Sequence, residues 1–313
     1  MSASFSLALA ASAQAASGQH YPQGSLYIVA TPIGNLADIS LRALHVLSLA
    51  DMVACEDTRH THALLRAYGI DKPSSQLLAV HQHNELEAAH AVIDHLRSGR
   101  RVAYVSDAGT PGISDPGARL VSVVQAQGLR SVPLPGASSL TALLSVSGAS
   151  PDRSVGQGFV FQGFLPSKAA ERERAVLSLA AETRAVVLLE APHRIEALLQ
   201  ALSVLGDRLV TVGRELTKQF EEIVTLPAQL LSGWMAQDAN RLRGEFSLVI
   251  HPTQIEQAAG PDTRVLLLLL EQLPLKTAVK LAADITGQSR NALYDFALSI
   301  KGKAPDTHQE EPS

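Results

Sequence analysis

The sequence predicts an α/β protein: two layered α/β domains followed by a small helical module. Three observations carry that expectation. Over residues 25–147, short apolar runs of strand length alternate with helix-length amphipathic patterns, the rhythm of a parallel sheet with crossover helices. Over residues 159–250, strand-like runs follow one another too closely for every link to be a helical crossover, so the second sheet should be mixed, with at least one antiparallel hairpin. Beyond His251-Pro252 only helical patterns remain. A chain of 313 residues exceeds one small core and fits about two domains. Hydrophobic residues make up 46% and aromatic residues only 4%, so the cores are built from Ala, Leu and Val.

Composition also excludes. The 26 basic and 30 acidic residues leave a net charge of −4, so a nucleic-acid partner has to be met by a local patch or within a larger assembly. The single cysteine, Cys55, rules out an internal disulfide framework and fits a reducing compartment. No Lys or Arg precedes the short apolar stretch FSLALAASAQA, so it lacks the basic start of a secretory signal. Residues 1–24 are expected to be a disordered extension of a cytoplasmic protein. The run of apolar residues 265–270 is far shorter than the roughly 18 residues of a membrane span, and no membrane partner is expected.

Taken in order, SLYIVA at 25–30 reads as a strand running into the turn TPIGN, and Asp38 or Ser40 is placed to cap a helix striped by Leu41, Leu44, Leu47 and Leu49. Residues 51–55 form the next strand and end on Glu56-Asp57-Thr58-Arg59, which is either a site or a solvated helix start. A third strand at 76–80 ends on His81-Gln-His83-Asn84-Glu85 and opens a helix to about Arg97. The fourth, 102–105, feeds SDAGTPGISDPG, whose glycines and prolines forbid regular structure and whose Ser106, Asp107, Thr110, Ser114 and Asp115 are polar. A helix follows to Gly128, then a strand at 130–134, the turn PGASS and a helix to Gly148. The small-residue stretch 147–158 marks a boundary between domains at 25–150 and 155–253. Strands are expected at 159–165, 185–190, 209–214, 220–225 and 244–250, with a charged helix at 168–181. The helical module spans 262–303 and a disordered tail 304–313. From 264 to 303 the module has six basic against three acidic residues, which suits a solvated surface or a nucleic-acid contact.

The polar clusters all fall at strand ends, where α/β proteins place their sites. There is no GxGxxG after the first strand, no GxxxxGK[ST] and no GxSxG, so a phosphate cradle and an activated serine are both excluded. His81 and His83 lack further ligands at a fitting spacing, and no metal is expected. Rigid loops rich in small residues and acceptors suit a nucleoside-bearing, cationic ligand. In PGASS, Ser138, Ser139 and the free N–H groups of a helix start are placed to receive a carboxylate or hydroxyl, or simply to cap the helix.

The ordered motifs LYIVATPIGNLADIS, ACEDTRHTHALL, HQHNE, YVSDAGTPGISDPG, PLPGASSLTALL, FQGFLP, LLEAPHRI, VGRELTKQFEE and GEFSLVI resemble the ribosomal RNA small-subunit methyltransferase I family over Leu26 to about Ile250. That family is a branch of the tetrapyrrole-methylase-like, S-adenosylmethionine-dependent enzymes. The resemblance implies two α/β domains with the cofactor in the cleft between them and a homodimer. It also implies methylation of the ribose 2′-hydroxyl of a cytidine in the decoding region of 16S rRNA, with the small ribosomal subunit as partner. Carried over by position, Asp107, Ala108, Gly109, Thr110, Pro111, Gly112 and Ile113 would line the methionine and sulfonium end of S-adenosylmethionine, beside Ser138 and Ser139. Pro32, Ile33 and Gly34 would face the methyl group, and Phe164, Leu165, Glu190, Ala191 and Glu245 would come from the second domain nearer the adenosine. A ribose hydroxyl is a weak nucleophile and calls for a general base. Strand-end placement points to Glu56, Asp57, Asn84 and Glu85 for that chemistry, with Arg59, Arg194 and Arg214 on RNA phosphates. Methylation of a tetrapyrrole carbon and non-catalytic ribosome binding are the alternatives.

Overall fold

The computed structural model describes residues 5–81, 84–149, 158–253 and 263–301. The expected boundary residues 150–157, the tail 304–313 and His83 lie outside the described residues. Met1–Thr253 and Gln254–Ser313 are separate compact units, so both α/β layers belong to the first.

The first half of that unit runs α1 (Ser6–Ala16), β1 (Ser25–Val29), α2 (Leu41–Leu49), β2 (Met52–Cys55), α3 (Thr58–Ala67), β3 (Leu77–Ala79), α4 (Glu85–Arg97), β4 (Val102–Val105), α5 (Gly117–Ala126), β5 (Arg130–Leu134) and α6 (Ser139–Ser147). Every strand pairing is parallel, in the order β3-β2-β4-β1-β5. The central strands β2 and β4 are buried throughout, which is why they read as unbroken apolar runs. On one face Leu44 and Leu47 of α2 and Leu65 of α3 pack on Val29, Val53 and Val105. On the other, Val92 of α4 and Leu120 and Val124 of α5 pack on Leu26, Ala54 and Tyr104. Each such buried side chain stabilises the fold by roughly 1.5–3 kcal/mol. Ser40, not Asp38, caps α2, its hydroxyl accepting from Ala43 N at 3.1 Å. β1 leads to a helix on one face and β4 to a helix on the other, so these adjacent strands mark the switch point at whose carboxyl end α/β sheets bind ligands.

The expectation of a disordered segment over 1–24 is corrected for the described part. Phe5 stands edge-on to Tyr68, with ring centroids 5.1 Å apart, and Ala8, Leu9 and Ala16 join the core under α2. Ala and Leu are the strongest helix formers, and burial against this face supplies what the short segment lacks alone.

The second half runs β6 (Phe159–Gly163), α7 (Ala169–Ala180), β7 (Ala185–Glu190), α8 (Ile195–Leu202), β8 (Leu209–Arg214), β9 (Glu222–Pro227), α9 (Leu231–Ala236) and β10 (Phe246–Ile250). The sheet order is β6-β7-β10-β8-β9, with β6–β7 parallel and the remaining pairs antiparallel. This is the mixed sheet expected, with β8 and β9 as its hairpin. The last strand inserts between β7 and β8, so Phe246 registers against Glu190 on one side and Arg214 on the other. Leu198, Leu199 and Leu202 of α8 cover one face of this sheet with Val176 and Leu231, over Leu188, Val212 and Leu248. Leu140 and Leu143 of α6 pack on the other with Val187 and Val249, joining the first half to the second.

The second compact unit comprises α10 (Thr263–Leu270), α11 (Leu275–Thr286) and α12 (Arg290–Lys301) around Leu266, Val279, Ala282, Leu293 and Ala297. Gly287, in the left-handed conformation at φ 71°, ends α11, and its N–H bonds Ala283 O at 2.9 Å before the chain turns into α12. No helix among the described residues is long and apolar enough to cross a membrane.

Candidate active site

A cavity of about 410 Å³ opens at the carboxyl ends of β4 and β7, within the roughly 300–1,000 Å³ range of small-molecule sites. Its floor is the loop after β4. Gly109, at φ 83°, forms a bridge with Thr31 in the loop after β1, exchanging hydrogen bonds of 2.9 and 3.1 Å. A side chain at Gly109 would be strained in this conformation and would press on Ile33. Thr110 Oγ1 donates to Ala137 O at 2.9 Å, fastening the loop to the PGASS turn. Asp115 closes the loop from within, accepting from Gly112 N, Gly117 N and the buried Tyr104 hydroxyl. The loop is therefore preorganised by its own hydrogen bonds.

Among the carboxylates that line the cavity, Glu56 lies in electrostatic reach of Asp107 and Asp115. Glu56 Oε1 accepts from Asp107 N at 3.1 Å, and Asp57 N donates to Asp107 Oδ1 at 3.3 Å. Burial pushes the Glu56 carboxyl above its ordinary range; the Asp107 N–H opposes that shift, and the charges of Asp107 and Asp115 reinforce it. Burial also pushes the neighbouring Cys55 thiol up to about 11, so Cys55 is no thiolate nucleophile. At the other side Glu190 is fully buried on the wall. Its Oε1 accepts from Ala191 N at 2.9 Å and pairs with Arg194, while Oε2 has no hydrogen-bond partner among the described residues. An unpaired buried carboxylate oxygen is costly, and a donor on a bound ligand would satisfy it. Helix α6 begins at the cavity, where Ser138, Ser139 and Leu140 line it and the Ser138 side chain makes no cap hydrogen bond.

Of the residues expected to bind cofactor, Ile33, Asp107, Ala108, Gly109, Thr110, Ile113, Ser138, Ser139, Phe164, Glu190, Ala191 and Glu245 line this cavity, as does Glu56. The remaining expected residues stand outside its lining. Pro32, Gly34, Pro111 and Gly112 shape the loops without lining it. Gly34 is needed because a Cβ there would stand 2.4 Å from Lys218 Cγ. Leu165 is buried and its carbonyl accepts from Arg194. Asp57 caps α3, accepting from Arg59 N at 2.7 Å and chelated by the Arg59 guanidinium, which holds its carboxyl down to about 2. A carboxylate that acidic is a feeble base. Asn84 supports the turn before α4 through His81 N and Ala79 O, and Glu85 pairs with Arg119 at 2.7 Å. Neither lines the cavity.

The arginines divide likewise. Arg59 is exposed but engaged by Asp57. Arg194 is spent on Glu190, Ser167 and Leu165 O, and Arg214 on the carbonyls of Arg243, Phe220 and Asn240. These two fasten the fold internally, and neither lines the cavity. Sequence reasoning missed Leu140, Leu189, Pro192, Leu216, Phe246 and Ser247 on the walls. It named Ser106, Ser114 and Asp115 only as polar loop residues, and all three line the cavity.

Residues 25–231 match the family of Tetrapyrrole (Corrin/Porphyrin) Methylases, and residues 256–301 match the RsmI C-terminal HTH domain. The Ribosomal RNA small subunit methyltransferase I of Pseudomonas aeruginosa is 47% identical over 90% of this chain and 99% of its own. The chain belongs to the ribosomal RNA small subunit methyltransferase I family. The family member of Escherichia coli O157:H7 is 45% identical over 90% of this chain and 96% of its own. Among solved structures, a cobalt precorrin-4 methyltransferase shares the fold, with a TM-score of 0.54 and 19% identity over 74% of this chain and 98% of that one. As a member of this family the chain is a methyltransferase, and its two-sheet fold is that of the tetrapyrrole methylases.

Proposed function

We propose that this protein transfers a methyl group from S-adenosylmethionine to the ribose 2′-hydroxyl of a cytidine in the decoding region of 16S rRNA, acting in the cytoplasm as a homodimer on the small ribosomal subunit. The observation that carries the substrate is the near full-length similarity to enzymes named for small-subunit rRNA.

The cavity suits the cofactor on its own chemistry. Carboxylates of Asp107 and Glu56 would favour a cationic centre, the start of α6 would receive a carboxylate, and the orphan Glu190 Oε2 would accept from a hydroxyl or amine. Apolar Ile33, Ile113, Leu140, Leu216 and Phe246 complete the walls and exclude water. The bound cofactor supplies an electrophilic methyl group on sulfur. The protein aligns the acceptor oxygen in line with it and removes the hydroxyl proton. Glu56 is the base we assign: it lines the cavity, and burial raises its carboxyl above the ordinary range. A ribose-methylation map of 16S rRNA from cells with and without the protein tests the reading, and one cytidine 2′-O-methyl signal should depend on it. An unchanged map, together with methylation of a uroporphyrinoid in vitro, would transfer the assignment to tetrapyrrole chemistry.

A further inference from the structure

The loop joining β8 to β9 has a backbone that glycine-free sequences avoid. Glu215 and Thr217 are both left-handed, at φ 51° and 67°, although neither is glycine. Strain of this kind persists only where surrounding structure enforces it, and it concentrates at functional sites. Here the enforcement is visible. Glu215 Oε1 accepts from Lys218 Nζ at 2.8 Å and from Glu245 N at 2.9 Å, and Glu221 Oε2 accepts from Thr217 N at 2.6 Å. The loop is thus rigid, and its product is an exposed aromatic. Phe220 is 71% exposed and packs into no core cluster.

Arg214 explains what stands beside it. Its guanidinium donates to Phe220 O at 3.3 Å, to Arg243 O at 2.7 Å and to Asn240 O at 2.8 Å, riveting the β8–β9 loop to the segment that leads into β10. The Arg243 side chain is exposed and has no hydrogen-bond or ion-pair partner among the described residues. Both riveted segments run directly into the cavity wall, one through Leu216 and the other through Glu245. The main chain of an exposed aromatic and that of an exposed arginine are therefore fastened to one guanidinium, each a few residues from the cavity wall.

We infer that Phe220 and Arg243 form a binding site for an unpaired nucleotide flanking the methyl acceptor, the base stacking on the Phe220 ring and its phosphate meeting Arg243. This rests on the RNA reading above. A splayed single strand is recognised by stacking on aromatic faces, with basic groups following its backbone. Arg214 is a positioning residue that fixes the spacing of the pair.

The test uses the full chain with a fluorescently labelled, unpaired oligoribonucleotide, the same sequence as a duplex, and unmethylated small ribosomal subunits. Phe220→Ala should weaken binding of the unpaired probe roughly 5- to 150-fold and raise KM for subunits, with kcat and cofactor affinity held. Phe220→Trp should restore binding and Phe220→Leu should not, a pattern that a packing role would not produce. Arg243→Gln should reduce the salt dependence by about 0.7 in log–log slope, the share of one single-strand phosphate. Wild-type affinity and KM in both Phe220→Ala and Arg243→Gln, with wild-type enzyme active on subunits, would overturn the site, as would an equal loss on the duplex. If the wild type binds cofactor but neither binds the probe nor methylates subunits, the RNA reading itself falls.

Discussion

Two of the loops that line the cavity reach the same left-handed backbone by opposite means. The loop after β4 uses glycine, with Gly109 at φ 83° and Gly112 at φ 87°. The loop after β8 forces Glu215 and Thr217 into that region and holds them with charged side chains. The first is relaxed and closed by its own hydrogen bonds, so it is preorganised at little cost. The second is strained and depends on neighbours, among them Lys218 bridging Glu215 at 2.8 Å and Glu245 at 3.1 Å. Burial works against the Lys218 charge, yet these two carboxylates raise its pKa above the ordinary lysine value. A loop that must hold a small ligand in one pose can be built from glycine, whereas one that displays long side chains at a rim cannot.

The largest effect should come from the carboxylate that serves the relaxed loop. Glu56→Gln keeps an acceptor for Asp107 N but removes the proposed base, and the single-turnover methylation rate should fall about 10²- to 10⁴-fold. The acid limb of the wild-type rate profile, which rises as Glu56 ionises above its ordinary range, should vanish with it. Since a raised carboxyl pKa makes the folded state less stable as pH climbs past the unfolded value, the same variant should melt no lower than wild type at neutral pH. A clear loss of thermal stability would contradict that sign.

Next, Gly109→Ala should cost about 1–2 kcal/mol and weaken cofactor binding, read by calorimetry. Thr217→Gly breaks the symmetry in the other direction. Relief of strain and loss of an unpartnered buried hydroxyl oppose the added freedom of glycine, so chemical denaturation should show a change within about 1 kcal/mol of wild type. A Thr217→Gly loss as large as that of Gly109→Ala would mean that the strained loop is not strained. The smallest effect belongs to Asp57→Asn. Its lowered carboxyl pKa contributes stability above the unfolded value and loses it as pH falls toward about 2, so the variant should differ from wild type in acid melts far less than Glu56→Gln differs in rate.

What was readable in the sequence follows the same divide. Glycines and prolines punctuate SDAGTPGISDPG and PGASS so heavily that strand, loop and helix could be placed, and both loops do line the cavity. The β10 part of the wall was only partly readable: Glu245 was named, but Phe246 and Ser247 were not, because their place depends on β10 entering between β7 and β8. That long-range insertion brings Glu245, Phe246 and Ser247 beside Glu190. The internal bonds of the arginines were hidden for a related reason: Arg194 and Arg214 end on main-chain carbonyls, which no side-chain pattern advertises. Segment α1 was misread because an Ala- and Ser-rich composition looks the same whether or not a core exists to receive it. Asp57 was correctly placed at a strand end, but there it does the work of a helix cap.

The late arrival of β10 also sets an order of assembly. Until Phe246–Ile250 has been synthesised, β7 and β8 are two bare edges with no strand between them, and one wall of the cavity does not exist. A nascent chain can complete the parallel sheet early, yet it becomes competent to close around a ligand only when this final strand leaves the ribosome. Chains truncated shortly before that point would carry two open, apolar edges, the signature by which aggregation and proteolysis recognise unfinished proteins.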